Sequence, residues 1–191
     1  MTVLPEWMIR WPDGLTVEDY EALPEGICRQ IEVVDGGIVV RPSPGRSHQK
    51  VVHALTAALR AAAAPHHRAV SDLDLRMLDV PLLNRRPDIA VFDASLPDCV
   101  VLRPHHCLLV VEVMSPGSVT FDQVDKPAEY AHAGIEHYWR IERCDDVHKL
   151  TVFRYMLNPM TRTYAVMGAS TGQLVTSEPL AVSVNFAEEL L

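Results

Sequence analysis

Two acidic residues stand in apolar surroundings near the middle of the chain. Asp88 lies at the start of one short apolar segment, and Glu112 lies near the end of the next. A buried carboxylate without a partner costs several kcal/mol or becomes neutral. Two of them on neighbouring strands indicate a cation between them. The alternative is that each carboxylate pairs with an arginine, for which Arg85 and Arg86 are the obvious candidates, and the residue types leave both interpretations open.

A hard divalent cation is the one that such a pair would favour. Mg²⁺ takes oxygen ligands in octahedral geometry, usually one or two carboxylates together with waters and phosphate oxygens of the substrate. Asp88, Glu112 and a backbone carbonyl such as that of Val113 would suffice, and Mn²⁺ could substitute. With a lysine nearby to orient the attacking water, the predicted chemistry is metal-assisted hydrolysis of a phosphodiester.

Lys126 is the candidate for that lysine, because it follows the second acidic segment and lies four residues after Asp122. On a continuous helix this spacing puts both side chains on one face. The alternative is an ordinary ion pair between them on the surface. Pro127 fits only the first turn of a helix, so the helix should begin near 122–125 or be kinked. Tyr130, one turn further, belongs either to the core or to the same site.

Other kinds of site find little support in the sequence. There is no phosphate-binding G-x-x-x-x-G-K-[ST], no G-x-G-x-x-G after a strand, no H-E-x-x-H and no G-x-S-x-G. The histidines lack zinc-ligand spacing, since His48 and His53 are five residues apart. Nucleotide binding through a glycine-rich loop and zinc catalysis are therefore disfavoured.

The elements that must position these residues follow from the apolar periodicity and the turn residues. An extended arm at 1–14 comes first, and no internal repeat interrupts the order that follows. The predicted elements are a short helix starting with a capping box at Thr16, a hairpin of 29–34 and 38–41, a helix at 48–64 capped by Ser47, strands at 70–78, 85–92 and 107–114, a helix ending at Gly134, and strands at 137–141, 150–155, 163–167 and 180–184.

Composition is that of a globular protein, with 48% hydrophobic and 22% charged residues among 191. That length suits one domain covering 1–191. No apolar run is long enough to span a bilayer and the first residues do not resemble a signal peptide, so no membrane association is expected. The four cysteines lack C-x-x-C spacing, which predicts free thiols in the cytoplasm.

Charge is unevenly distributed along the chain. The net charge is −8, yet the segment 41–90 carries eight Lys or Arg against four Asp or Glu. A basic segment in an acidic protein predicts a local face for phosphates, although it is often only a solvated surface. The predicted DNA contacts in this segment are Arg46, Lys50, Arg85 and Arg86.

Several motifs together point to a family. They are Pro87-Asp88, Val111-Glu112-Val113-Met114-Ser115-Pro116, Asp122-x-x-x-Lys126-x-x-x-Tyr130 and Gly134-Ile135-Glu136-His137-Tyr138-Trp139. The combination resembles the Uma-two family of bacterial restriction-endonuclease-like proteins, in the PD-(D/E)XK nuclease superfamily. The segment 31–36, Pro42-Ser43-Pro44 and Ser47-His48-Gln49 extend the resemblance, which runs from about Thr16 to the C-terminus.

The resemblance implies an α/β fold of the mixed α+β kind: a restriction-endonuclease-like core with a mixed central sheet flanked by helices, an N-terminal hairpin and extra C-terminal strands. It implies Asp88 and Glu112 as metal ligands and catalytic residues. The superfamily lysine stands two residues after the glutamate, where this chain has Met114, so the resemblance assigns that role to Lys126. The supporting residues that it implies are Glu32, His48, Asp122 and Tyr130.

The predicted function is therefore that of a Mg²⁺-dependent DNA endonuclease, with a homodimer expected for cutting both strands. Two alternatives remain open. One is a catalytically weak or inactive protein that keeps the fold and binds nucleic acid or another partner, which the negative net charge and Pro127 favour. The other is a hydrolase of a different phosphodiester. The intact set of Asp88, Glu112 and Lys126 favours an enzyme.

Overall fold

The computed structural model of the protein describes residues 13–114, 125–143 and 149–186. Its helices are α1 (Val17–Glu21), α2 (Glu25–Cys28), α3 (Arg46–Ala63) and α4 (Asp125–Ala133), with a 3₁₀ helix at Pro104–His106. Its strands are β1 (Ile31–Val34), β2 (Gly37–Val40), β3 (His67–Ser71), β4 (Leu75–Leu78), β5 (Leu83–Arg85), β6 (Ile89–Asp93), β7 (Cys107–Val113), β8 (His137–Arg143), β9 (Leu150–Asn158), β10 (Thr163–Thr171), β11 (Gln173–Thr176) and β12 (Val182–Asn185).

The central sheet has six strands in the order β10-β9-β8-β7-β6-β3. Strands β7 and β8 run parallel, while the other neighbouring pairs are antiparallel. A parallel pair needs a crossover connection, and α4 lies in the connection from β7 to β8. The sheet is therefore mixed and flanked by helices, with an N-terminal hairpin and extra C-terminal strands, which confirms the predicted fold class.

Strands β6 and β7 are buried on both faces, which explains why their sequences read as continuous apolar runs. Along β6, Ile89 and Val91 pack in the cluster that contains the apolar face of α3. The alternate residues Ala90 and Phe92 pack in a second cluster, which contains Tyr130 of α4. The two helices thus cover opposite faces of the sheet at the strands that carry the acidic residues.

A second sheet, with the order β2-β1-β5-β4, changes two of the predicted strands. The segment 85–92 is not one strand: β5 ends at Arg85 in the small sheet, and β6 begins at Ile89 in the central one. Pro87, which has no backbone N–H to donate to a ladder, lies in the break. The segment 70–78 is divided in the same way at Asp72, which has a φ of 56°.

Both breaks occur at one place, because the backbone N–H of Asp72 donates to the carbonyl oxygen of Asp88 at 3.2 Å. The chain therefore passes from one sheet to the other twice at this seam, defined by residues 72 and 88. Asp88 lies at the seam, one residue before β6 begins.

The helix boundaries follow local signals with one correction. Gly45, not Ser47, is the N-cap of α3, which begins at Arg46. The capping box between Thr16 and Asp19 is present. Within the described residues helix α4 begins at Asp125, so Pro127 lies in the first turn of that range, where a proline is accommodated.

Several other expectations can be compared with the structure. Gly134, with a φ of 88°, follows the end of α4 as predicted. The hairpin β1–β2 and the strands β8, β9 and β10 also form as predicted, whereas β11 was not expected. No helix in the described ranges is both long and apolar enough to cross a membrane. Most of the predicted arm, Asp122 and one of the four cysteines, Cys144, lie outside the described residues.

Candidate active site

A cavity of about 1020 Å³ opens where the seam between the sheets meets the start of α3. Five of the seven residues predicted as catalytic or supporting line it: Glu32 from β1, His48 from α3, Asp88 from the seam, Glu112 from β7 and Lys126 from α4. They come from five different parts of the chain. The predicted residues are therefore brought together by the fold and not by closeness in sequence.

Asp88 is fixed by two contacts. Its Oδ2 accepts a hydrogen bond from the backbone N–H of Val113 at 2.7 Å, and its Oδ1 lies 3.1 Å from Nε2 of His48. Burial alone would lower the pKa of His48, but the hydrogen bond and the negative charge of Asp88 together raise that pKa above its ordinary value. The predicted supporting role of His48 thus corresponds to a direct contact with Asp88.

Glu112 is held on the strand next to Asp88 and is almost completely buried. Its Oε1 accepts a hydrogen bond from the hydroxyl of Tyr130 at 2.7 Å. Burial raises the pKa of Glu112 to about 7, and the negative charges of Asp88 and Glu32 add to this effect, while Lys126 opposes it. Tyr130 is fully buried, so it is both a core residue and a partner of the site.

Lys126 is buried, with only 5% of its surface exposed. Its Nζ lies 3.0 Å from Oε1 of Glu32 and 3.5 Å from Oε1 of Glu112. The prediction that this ammonium lies within a few ångströms of the acidic site is confirmed, and an ordinary surface ion pair is not what the structure contains.

Glu32 divides its two carboxylate oxygens between different partners. Oε1 contacts Lys126 and accepts from the backbone N–H of Arg86 at 3.1 Å, while Oε2 accepts from Nη1 of Arg85 at 2.9 Å. Burial, the strongest single influence, favours the neutral acid, but Lys126 and Arg85 together hold the pKa of Glu32 below its ordinary value. Glu32 is thus a charged neighbour of the site.

The expected DNA contacts at Arg85 and Arg86 are wrong, because both side chains are buried and occupied by acidic partners. Arg85 donates from Nε and Nη2 to the two carboxylate oxygens of Glu129, each at 2.7 Å. Arg86 forms ion pairs with Asp72 and Asp74. Each arginine is only 6% exposed, so neither presents a free guanidinium to a phosphate.

Glu129 is the functional neighbour that the sequence reasoning missed. It stands three residues after Lys126 on α4, a spacing that puts the two side chains on one face of a helix. That spacing alone could have indicated from the sequence that Glu129 lies near Lys126. Its partner Arg85, 44 residues earlier, could not be assigned from local pattern.

Two carboxylates of this cavity suit a divalent cation. Asp88 and Glu112 both line the cavity, whereas Glu32 is already paired with Lys126, with Arg85 and, at 4.0 Å, with Arg41. Among the described residues, no three His, Cys, Asp or Glu side chains form a metal-binding group by themselves. Two carboxylates completed by backbone, water and substrate oxygens are nevertheless a usual set for Mg²⁺.

The raised pKa of Glu112 predicts how the stability of the metal-free protein depends on pH. Between about pH 4.5 and 7 the folded protein keeps a proton on Glu112 that the unfolded chain loses. The free energy of unfolding should therefore fall as pH rises through this window, by up to about 1.4 kcal/mol per pH unit for this one proton. Urea denaturation in EDTA at several pH values from 5 to 7 measures this dependence. The plot of unfolding free energy against pH should have a flatter slope for Glu112→Gln than for the wild type.

The matched control is Glu18→Gln, since Glu18 is exposed in the first turn of α1. It should leave the slope as in the wild type. His48, whose raised pKa acts with the same sign at higher pH, stays in both variants. An unchanged slope in Glu112→Gln would contradict the assignment of this proton to Glu112.

Comparison with known proteins adds two findings. A family model described as "Uma2: Putative restriction endonuclease" matches residues 17–187. Among solved structures, the chain is similar to "a putative nuclease belonging to DUF820 from Anabaena variabilis ATCC 29413", at 18% identity and a TM-score of 0.67. That match covers 93% of this chain and 99% of the other. No curated protein matches the sequence.

Proposed function

Because this chain belongs to the Uma2 family, we propose that it is a Mg²⁺-dependent endonuclease that hydrolyses phosphodiester bonds in DNA. The observation that supports this most is the buried Lys126 between Glu32 and Glu112, in the cavity that Asp88 also lines. One lysine among carboxylates in a recess suits the attack of water on a phosphodiester. We expect a homodimer to be the form that cuts both strands.

Asp88, Glu112 and the carbonyl of Val113 would hold the cation. A bound Mg²⁺ supplies a Lewis acid for the phosphoryl oxygen and lowers the pKa of water. The chain itself supplies orientation: His48 holds the Asp88 carboxylate, and the hydroxyl of Tyr130 holds that of Glu112. The Lys126 ammonium would orient the attacking water and stabilise the negative charge that develops on the phosphate.

The direct test is incubation of the purified protein with supercoiled plasmid in Mg²⁺, in Mn²⁺ and in EDTA. We expect conversion to nicked and linear DNA with either metal and none in EDTA. Binding of the plasmid without cleavage in either metal would reject the nuclease and favour the alternative of a nucleic-acid-binding protein that keeps the fold.

Replacing Lys126 is expected to lower kcat more than it lowers DNA affinity. Lys126→Ala should reduce kcat by about 10²- to 10³-fold, because the lost interaction strengthens as charge develops in the transition state. Lys126→Arg should recover little of the lost kcat, since a planar guanidinium does not replace the compact charge of an ammonium. The measurements are cleavage kinetics and DNA binding in Ca²⁺.

The burial of Lys126 requires a folding control in the same experiment. Its removal leaves Glu32 and Glu112 without their shared cation, so the thermal midpoint of Lys126→Ala should also fall. Activity is therefore compared well below that midpoint. Lys149→Ala, at an exposed position that does not line the cavity, is the matched control and should keep the wild-type kcat and DNA affinity. A wild-type kcat in Lys126→Ala would remove Lys126 from the mechanism.

Arg46 and Lys50 are exposed at the rim of the cavity, in the first turns of α3, and remain the predicted phosphate contacts. The double variant Arg46→Gln/Lys50→Gln should weaken DNA binding and reduce the slope of log K against log salt by about 1.8, near 0.9 for each contact. Arg162→Gln, exposed and not among the residues that line the cavity, is the control. An unchanged slope in the double variant would place the DNA on another face.

A further inference from the structure

The lysine of this site comes from a helix and not from the strand that carries Glu112. Strand β7 ends at Val113, the following position is Met114, and Lys126 lies in the first turn of α4. A lysine two residues along the same strand would be positioned by the strand itself. Here the position of the ammonium depends on how the first turn of α4 is held against the strands.

A ring of buried and partly buried ion pairs holds that turn. Glu129, on the same helix face as Lys126, is gripped by two nitrogens of Arg85 at 2.7 Å each. A third nitrogen of Arg85 reaches Oε2 of Glu32 at 2.9 Å, and Oε1 of Glu32 lies 3.0 Å from Lys126. The path Lys126–Glu32–Arg85–Glu129 thus leaves α4, passes through β1 and β5, and returns to α4. We call these four residues the clamp.

The geometry of the clamp restricts motion more than a single ion pair would. Helix α4 is attached to the small sheet at two side chains one turn apart, which opposes both rotation and sliding of that turn. The fork of Arg85 meets the carboxylate of Glu129 with two parallel hydrogen bonds, an arrangement with strict orientation. Buried ion pairs often add little net stability compared with apolar groups. The better explanation for ion pairs at this place is that they fix the position of the Lys126 side chain.

We propose that Arg85 and Glu129 are positioning residues that hold the Lys126 ammonium between Glu32 and Glu112. Neither contacts the cavity's carboxylate Asp88, and neither is assigned to the reaction itself. Without Glu129, Arg85 keeps only Glu32 as its carboxylate partner in the clamp, and the turn that carries Lys126 loses one of its two attachments to the small sheet. The consequence for catalysis rests on the proposed nuclease function; the positioning itself does not.

Glu129→Gln tests this with little risk to folding, since the Glu129 side chain is 21% exposed. Glutamine keeps the shape but removes the charge and one acceptor for the arginine fork. Glu129→Asp keeps the charge and shortens the reach, so it should give an intermediate result and serves if Glu129→Gln folds poorly. Glu136→Gln, at an exposed glutamate, is the matched control.

The chain offers a readout that is independent of activity. It contains only three lysines: Lys50, Lys126 and Lys149. Brief acetylation followed by mass spectrometry gives the labelling rate of Lys126 relative to exposed Lys50 in one sample. In the wild type, we expect Lys126 to be labelled at least about tenfold more slowly, because its amine reacts only when the site opens.

Glu129→Gln should raise the relative labelling of Lys126 several-fold and lower kcat by about 10- to 100-fold, since a displacement near 1 Å suffices for such a loss. The affinity of Glu129→Gln for DNA should stay as in the wild type. The control variant should keep the wild-type labelling of Lys126 and the wild-type kcat. Wild-type protection of Lys126 in both Glu129 variants would overturn the inference. So would lost protection with an undiminished kcat. Lost protection in a protein that cleaves no plasmid even as wild type would support the clamp and reject the proposed function instead.

Discussion

Replacing Asp88 with asparagine is expected to reduce metal-dependent cleavage by more than about 10³-fold, which corresponds to about 4 kcal/mol in the barrier. The substitution keeps the size of the side chain and an oxygen that can accept from the backbone N–H of Val113. What it removes is one of the two negative charges that would hold the cation. The same variant should bind Mg²⁺ much more weakly in calorimetric titration.

The fold of Asp88→Asn should be preserved, because the contact with Val113 survives and the relief of Glu112 from a negative neighbour offsets the loss of the ion pair with His48. A thermal midpoint close to that of the wild type in EDTA is expected. Asp98→Asn is the matched control, since that carboxylate is 92% exposed and pairs with Arg68 on the surface. Cleavage within tenfold of the wild type by Asp88→Asn would show that the cation is held elsewhere.

Replacing Arg85 with methionine is expected to destabilise the folded protein by about 3–5 kcal/mol, the cost of breaking a buried ion pair on one side only. Methionine is apolar and unbranched, so it fills much of the space. It leaves the carboxylates of Glu32 and Glu129 without the guanidinium that both share. Urea denaturation near pH 7 measures the loss.

The control for this prediction is Arg29→Met. Arg29 and Glu25 form an exposed i,i+4 pair, with 61% and 76% of their side chains accessible, and such pairs contribute little to stability. Adding Glu129→Gln to Arg85→Met should recover part of the lost stability, because one unpaired charge is then removed. A loss below about 1 kcal/mol in Arg85→Met would mean that solvent replaces the guanidinium at both carboxylates.

The parts of the fold that were predictable are those specified by local signals. The capping box at Thr16, the stop at Gly134 and the start of α4 before Pro127 each depend on a few adjacent residues. The strand that follows Asp88 and the strand that carries Glu112 were predictable because both their faces are apolar. Local pattern could not show that one apolar segment contributes to two sheets, as 85–92 does, since each half alone is compatible with a strand.

The site was predictable as a set of residues but not as a set of contacts. Asp88, Glu112, Lys126, Glu32 and His48 do share a cavity, as the motifs implied. The arginines were misassigned because a basic residue near an acidic site looks the same in sequence whether it faces solvent or an internal carboxylate. The two partners that keep the Arg85 side chain inside the protein are far away in sequence, Glu32 by 53 residues and Glu129 by 44.

The placement of the lysine on α4 divides the site between two stretches of chain. A single break anywhere between Met114 and Asp125 would leave Asp88 and Glu112 on one fragment and Lys126 with Glu129 on the other. Neither fragment would hold the full set of charged groups, and only their association would restore it through the clamp. The architecture is thus suited to a split protein, in which neither of two separately expressed fragments has a complete site until the two associate.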